Sequence, residues 1–306
     1  MDIVTQYWLA MFSEFIGTAI LIILGNGVCA ATSLKRMNAN QSGKWIVIAM
    51  GWGFAVFVAA TISAAMGGGG FLNPAVLIMQ SIGASKTLSS ETVNAMLALE
   101  IPPQGGMYGL GVLALQTTDA AAVITLTFFI VLIFELLGAI FGQIVLNFIN
   151  FKFLKDKEND LLSIRGTHCT APAYKNKEER AAVFNFSYEF MGTLILLACI
   201  LAFGQLPTST LGNDGTVASG NEIVLGSLSN LAVTFVIMSI GLSLGSATGY
   251  AINPARDLMP RIVFASFVNI FRKEDKVANI ADWGYSWVPV AGPMAAGVII
   301  GLFALI

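Results

Sequence analysis

The sequence predicts an all-α membrane protein with six transmembrane helices and two re-entrant half-helices, arranged as an inverted repeat. Three observations predict it. Hydrophobic residues make up 56% of the 306-residue chain and charged residues only 11%, with a mean hydropathy of +0.77. A water-soluble domain carries about 25% charged residues, so this chain has too little polar surface to face water on every side. Six apolar stretches, at 7–32, 45–66, 121–150, 184–204, 226–247 and 284–306, match the roughly 20 residues that cross a hydrocarbon core. Finally, Asn-Pro-Ala occurs twice, at 73–75 and 253–255, each time ahead of an apolar piece too short to cross.

The first stretch has no basic flank and no small-residue cleavage site after it, so it reads as a retained span rather than a signal peptide. A short polar loop, 33–44, leads to the second. After the first Asn-Pro-Ala comes a long connection, 84–120, containing Pro102-Pro103-Gln104-Gly105-Gly106 and read as a cap or a gate. The third stretch holds Glu135, to which the sequence assigns no role. A lysine-rich loop follows at 152–183. Residues 205–225 are rich in Gly, Ser and Thr, with Asp214 and Glu222 as their only charges.

The halves repeat. Glu14-Phe15-Ile16-Gly17-Thr18 in the first span matches Glu189-Phe190-Met191-Gly192-Thr193 in the fourth. Asn73 lies 59 residues after Glu14, and Asn253 lies 64 after Glu189. Gly138-Ala139 with Gly142 in the third span is echoed by Gly292-Pro293 with Gly297 in the sixth. With three spans per half, the second copy must enter from the opposite face, which places a solute path near the midplane. The expected organisation is one transmembrane domain over 1–306, with repeats at about 1–150 and 184–306 joined by a link at 151–183.

A single Asn-Pro-Ala is ordinarily a helix N-cap followed by proline at the first helical position. Two copies, each behind the same Glu-Phe-x-Gly-Thr tag, point to paired half-helices whose N-termini meet in mid-bilayer. Each N-terminus carries roughly +0.5 of an elementary charge, so the pair opposes cations. The side-chain amides of Asn73 and Asn253 can donate to a passing oxygen. The irregular backbone before each half-helix, including Gly70, Phe71, Leu72, Ala251 and Ile252, supplies carbonyl acceptors; such backbone at membrane depth is tolerated only in protein or beside a wet cavity. Glu14 and Glu189, buried in apolar spans at matched positions, are expected to accept hydrogen bonds from those loop amides. Arg256 occurs only in the second copy. An arginine there costs about 2.5–3.5 kcal/mol on insertion scales, so it should face water or a partner, or else snorkel to the headgroups.

Other chemistries find no support. The net charge of −2 does not suggest nucleic acid. One histidine, His168, and three cysteines, Cys29, Cys169 and Cys199, lack metal-ligand or redox spacing. Cys169, in a polar loop, is read as inert. No cofactor and no catalytic constellation is expected.

On these residues, and most specifically on Gly249-Tyr250-Ala251-Ile252-Asn253-Pro254-Ala255-Arg256-Asp257, the chain resembles the aquaporin and aquaglyceroporin (major intrinsic protein) family over nearly its whole length. The resemblance implies a right-handed aquaporin-like bundle, a homotetramer in the cell membrane with one pore per subunit, and an aspartate after Asn-Pro-Ala-Arg in the glycerol-conducting branch, as Asp257 stands here in a supporting role. It implies a selectivity filter of Trp52, Gly241, Tyr250 and Arg256. Trp52 lies 21 residues before Asn73, and the Gly67–Gly70 run absorbs one extra residue. Gly241 stands where water-selective members often place histidine, which widens the filter. Two aromatic walls and one arginine suit glycerol, its carbons on Trp52 and Tyr250 and its hydroxyls toward Arg256. The implied function is passive conduction of glycerol and related small neutral solutes, with some water, excluding ions and protons. Phe71, where histidine is usual, and Leu77, where a small hydroxyl residue is common, depart from the family pattern, as does the long 84–120 segment.

Family topology puts both termini in the cytoplasm and the loops at 33–44, 152–183 and 267–283 outside. Those loops carry thirteen of the lysines and arginines against Lys86 alone opposite, whereas the positive-inside rule predicts the reverse. Two other functions compete. A water-selective channel is disfavoured by Gly241, Trp52 and Asp257. An inverted-repeat secondary transporter would need coupling-ion or proton ligands at the midplane.

Overall fold

The computed structural model describes residues 1–99, 106–205, 208–211, 217–220 and 230–306. Its long apolar helices are α1 (Ile3–Ser33), α2 (Lys44–Ala65), α6 (Ala120–Ile149) and α9 (Ala182–Gln205), joined by the shorter α10 (Asn230–Ser243) and α12 (Val288–Phe303). The half-helices are α3 (Pro74–Thr87) and α11 (Pro254–Phe271). They are longer than the ten or so residues expected: proline at each first turn starts the helix, and α11 continues through a second proline, Pro260. The fifth expected span ends early: α10 stops at Ser243, and a 3₁₀ turn at Gly245–Ala247 leads into the irregular backbone before Asn253. Residues 226–229 of that span lie outside the described residues.

Contacts between elements follow the sequence repeat. In each half the first helix packs on the second and on the third long helix: α1 on α2 and α6, α9 on α10 and α12. The half-helices cross over. The α3 helix packs on α12 of the other half and α11 on α6 of the first, while α2 and α10 meet between them. Glycine permits the closest crossing. A Cβ on Gly138 or Gly142 would stand 2.4 Å from the carbonyl oxygen of Phe15 or Ala19 on α1, so any side chain there forces α1 and α6 apart. On its outer face α6 presents Phe129, Ile133, Leu137, Phe141 and Ile144, all exposed and all apolar. Only a hydrocarbon solvent or another apolar surface suits that stripe.

The connections hold more structure than their composition suggested. The 84–120 segment forms α4 (Ser90–Leu99) and α5 (Gly106–Leu115), with Pro102 to Gly105 outside the described residues. These helices bury Val93, Met96, Tyr108 and Val112 against α1, α3 and α6, so the segment is a packed cap. Residues 208–211 and 217–220 pair as a two-stranded antiparallel hairpin, β1 and β2, an addition to the all-helical expectation. Asp214 and Glu222 lie outside the described residues.

The 152–183 link is also built. It includes α7 (Phe151–Lys155) and α8 (Leu161–Gly166), whose Leu154, Leu161 and Ile164 pack on Phe264 and Phe267 of α11. Arg272, buried, donates to the carbonyls of Leu154 (2.8 Å) and Asn159 (3.2 Å) and closes the link from beneath. Cys169 is buried, and burial pushes its thiol up to about 12, consistent with an inert residue. His168 is fully buried. Its Nδ1 lies 2.9 Å from the Ile164 carbonyl oxygen and its Nε2 has no partner among the described residues.

Burial lowers the His168 imidazole from 6.5 to about 4. The unfolded chain therefore binds a proton that the folded link refuses, and stability is full above pH 6.5 and declines as pH falls toward 4. Between pH 7 and pH 5 the loss should be about 2 kcal/mol. Thermal unfolding in detergent should show it, and His168→Asn should flatten that limb relative to wild type.

Candidate functional site

Both half-helices begin at an asparagine that caps its own helix. Asn73 Oδ1 accepts from Ala75 N–H at 2.9 Å, and Asn253 Oδ1 accepts from Ala255 and Arg256 N–H at 3.0 and 3.2 Å. With the oxygens committed, each amide nitrogen points to the other half of the chain. Asn73 Nδ2 donates to the Ile252 carbonyl at 2.9 Å, and Asn253 Nδ2 donates to the Leu72 carbonyl at 2.7 Å. The half-helices are thus clasped reciprocally. This alters the expected roles of Leu72 and Ile252: each of their carbonyls already has an asparagine as donor and is not free for a solute alone. Each Asn NH₂ retains a second hydrogen.

The residues between carboxylate and clasp are strained. Leu72 and Ile252 have φ of 53° and 44°, and Gly70 and Tyr250 have 63° and 36°. Positive φ in a β-branched residue such as Ile252 is a genuine outlier and persists only where surroundings over-determine it. They do so here. Ile252 N–H donates to Glu189 Oε2 at 2.8 Å and Ala251 N–H to Oε1 at 3.1 Å. In the first half, Leu72 N–H donates to Glu14 Oε2 at 2.9 Å, and Phe71 N–H to Oε1 at 3.3 Å. Leu72 and Ile252 are each held at N–H by a carboxylate and at C=O by an asparagine.

Sequence reasoning missed a third carboxylate. Glu135 Oε1 accepts from Asn73 N–H at 2.8 Å, while Oε2 has no partner among the described residues. Its signal was available: Glu135 stands one turn from Gly138 and two from Gly142, on the face of α6 that packs inward. Asp257 does not touch the corridor. Its Oδ2 accepts from Thr170 N–H and Oγ1, and its Oδ1 from the fully buried Arg261, which also donates to the carbonyls of Thr170 (2.8 Å) and Ala281 (2.6 Å). Asp257 and Arg261 therefore bolt α11 to the link; their i,i+4 spacing was the overlooked cue.

One cavity contains most of the remaining residues. Trp52, Tyr250 and Arg256 line it together with Asn73, Asn253, Gly70, Phe71, Leu72, Ala251 and Ile252. The Arg256 guanidinium lies 4.0 Å from the Trp52 ring centroid, face on, and makes no hydrogen bond to any described residue. Trp52 Nε1–H is held by Cys29 Sγ at 3.4 Å, an anchor that sequence did not reveal. Because Arg256 covers one face of Trp52, the seat for a solute's carbons on that ring is narrower than the family resemblance implied. Tyr250 donates to the Ile48 carbonyl at 3.4 Å and stands edge-on to Trp45.

Gly241 stands behind the Tyr250 ring. A Cβ there would lie 2.9 Å from that ring, and the Gly241 carbonyl accepts from Trp45 Nε1 at 3.0 Å. The space the glycine leaves is filled by Tyr250, which lines the cavity.

Removing either frame carboxylate should loosen the site. Glu14→Ala and Glu189→Ala each strand two buried N–H groups, at about 1–3 kcal/mol apiece. Both variants should melt several degrees below wild type in detergent, with Glu→Gln intermediate. Unchanged melting would show that the carboxylates do not hold the strained loops.

The chain matches the Major intrinsic protein family over residues 3–117 and 109–304. It is 35% identical over 298 residues to the probable glycerol uptake facilitator protein of Mycoplasmoides gallisepticum, covering 97% of this chain and 96% of that protein. It is 36% identical to the glycerol uptake facilitator protein of Streptococcus pneumoniae serotype 4, covering 96% and 98%. In fold it is similar to the X-ray structure of the aquaglyceroporin from Plasmodium falciparum, with a TM-score of 0.61 at 24% identity, covering 97% of this chain and 95% of that one. Two family matches that together span both halves, over the clasped Asn-Pro-Ala pair, make the chain a member of the major intrinsic protein family.

Proposed function

We propose that this integral membrane protein is a passive channel for glycerol and related small neutral solutes, with some water. One observation supports this above the rest. The Arg256 guanidinium, buried and laid on Trp52, has no hydrogen-bond partner among the described residues, yet it lines the cavity that Tyr250 also lines. A buried cation without a partner is untenable unless the corridor brings it water or hydroxyls. Five fixed donors beside two aromatic rings suit a solute with oxygens along one edge and carbons along the other.

The remaining wall is largely apolar: Val56, Ala60, Val76, Ile200, Val233 and Ile237. Ions lose hydration there without replacement. The two half-helix N-termini add positive potential at the clasp, against cations and protons. Coupled transport finds little support, because Glu14 and Glu189, its candidate ligands, have both oxygens occupied by loop amides. Glycerol conduction by this chain also draws on the glycerol uptake facilitators it is similar to. A homotetramer in the cell membrane, each subunit with its own pore, belongs to the same proposal. So do the filter roles of Trp52, Tyr250 and Arg256.

In proteoliposomes exposed to a glycerol gradient, stopped-flow scattering should show shrinkage followed by recovery of volume. Shrinkage with no recovery would leave the water-selective alternative. Gly241→His should abolish most of the recovery by displacing Tyr250 into the corridor, with some water flux retained; undiminished glycerol entry would remove Gly241 from any influence on the filter.

We further propose that both termini are cytoplasmic and the 152–183 link is outside, despite its basic residues. Lys175, Lys177 and Arg180 are exposed, so external trypsin on intact cells should cleave there. Protection, with an outward control protein cut, would reverse the orientation.

A further inference from the structure

The cavity has a second polar end. Its walls are helical stripes that can be followed away from the filter. On α2 the lining residues are Trp52, Val56 and Ala60; on α10 they are Ile237, Val233 and Asn230; on α3 they are Asn73, Val76 and Gln80. At 1.5 Å per residue, Asn230 lies about 16 Å along α10 from Gly241, and Gln80 about 10 Å along α3 from the clasp. Both stripes are apolar in between and end in a carboxamide. Asn230 Nδ2 donates to Thr61 Oγ1 on α2 at 3.2 Å, so this end of the cavity joins α10 to α2 through a polar pair. The Gln80 side chain, half-buried, has no hydrogen-bond partner among the described residues.

We propose that Gln80 and Asn230, supported by Thr61, form a second hydroxyl-binding station for linear polyols, at the end of the corridor opposite Arg256. The proposal rests on the channel reading and adds to it. The two ends differ in chemistry. Arg256 offers donors only, whereas each carboxamide offers an acceptor oxygen and two N–H donors. A hydroxyl stripped of water must both donate and accept. The amide pair meets that requirement where the solute enters or leaves the apolar stretch. Water, small enough to keep water partners in the mouth, depends on the station much less than a three- to five-carbon polyol does.

The test is stopped-flow flux in proteoliposomes with water, glycerol, erythritol and xylitol, comparing wild type with Gln80→Met/Asn230→Leu at equal reconstituted protein. These replacements are close in size and remove the amides. Polyol flux should fall about fivefold or more, the loss from one to two hydrogen bonds, more steeply for longer polyols. Water flux should stay within twofold. Gln80→Asn/Asn230→Gln, which keeps both amides, should recover most of the polyol flux. If the double variant does not reconstitute, Gln80→Met alone must still lower polyol flux selectively. Polyol flux within twofold of wild type, or an equal fall in water flux, overturns the station. Absence of polyol flux in wild type itself overturns the channel reading, and the station with it.

Discussion

The reciprocal clasp between Asn73 Nδ2 and the Ile252 carbonyl, and between Asn253 Nδ2 and the Leu72 carbonyl, is the constraint on which the rest of the structure depends. It joins two halves whose half-helices have each crossed to the other's third long helix. It also explains why strained backbone survives in the middle of an apolar bundle. Leu72 and Ile252 sit at positive φ because each is gripped from both sides, by a carboxylate at N–H and an asparagine at C=O. In a low-dielectric interior such satisfied networks are stiff, and unsatisfied ones are costly. The buried glutamates thus belong to the architecture of the loops.

A rigid centre allows an unusual charge to be left open. Arg256 follows directly from the second clasp, with its backbone N–H capped by Asn253 and its guanidinium laid on Trp52. Trp52 is in turn tethered to Cys29, and Tyr250 fills the space above Gly241. This end of the cavity is therefore a stack of mutually supporting groups, with Arg256, Trp52 and Tyr250 all in its wall. Asp257 and Arg261 support this by fastening α11 to the link through Thr170 and to the segment before α12 through Ala281.

Much of the fold was legible in the sequence, because the two signals involved are local. Apolar runs report a hydrocarbon solvent wherever they fold, and Asn-Pro starts a helix by its own φ and capping geometry. Glu14 and Glu189 stood out because a repeat displays the same residue twice. Glu135 did not, since it has no twin. The helices of the 84–120 segment, which the sequence left as a cap or a gate, and those of the 152–183 loop were not legible, because polar and glycine content masks short helices that exist only by packing Val93, Val112, Leu154 and Ile164 against the bundle.

By itself the sequence determined the class of protein, the two-fold repetition, the places where half-helices begin and several of the residues that line the cavity. All of these follow from composition and from short-range geometry. Only the tertiary structure decided that the asparagines spend a donor on each other's half, that Arg256 lies on Trp52, and that Tyr250 occupies the space beside Gly241. For the first two the physical reason is separation along the chain: they join residues some two hundred positions apart, and no local preference encodes which of several nearby partners a buried polar group will take. Tyr250, only nine residues from Gly241, is placed by the irregular backbone between them, which carries its own positive φ.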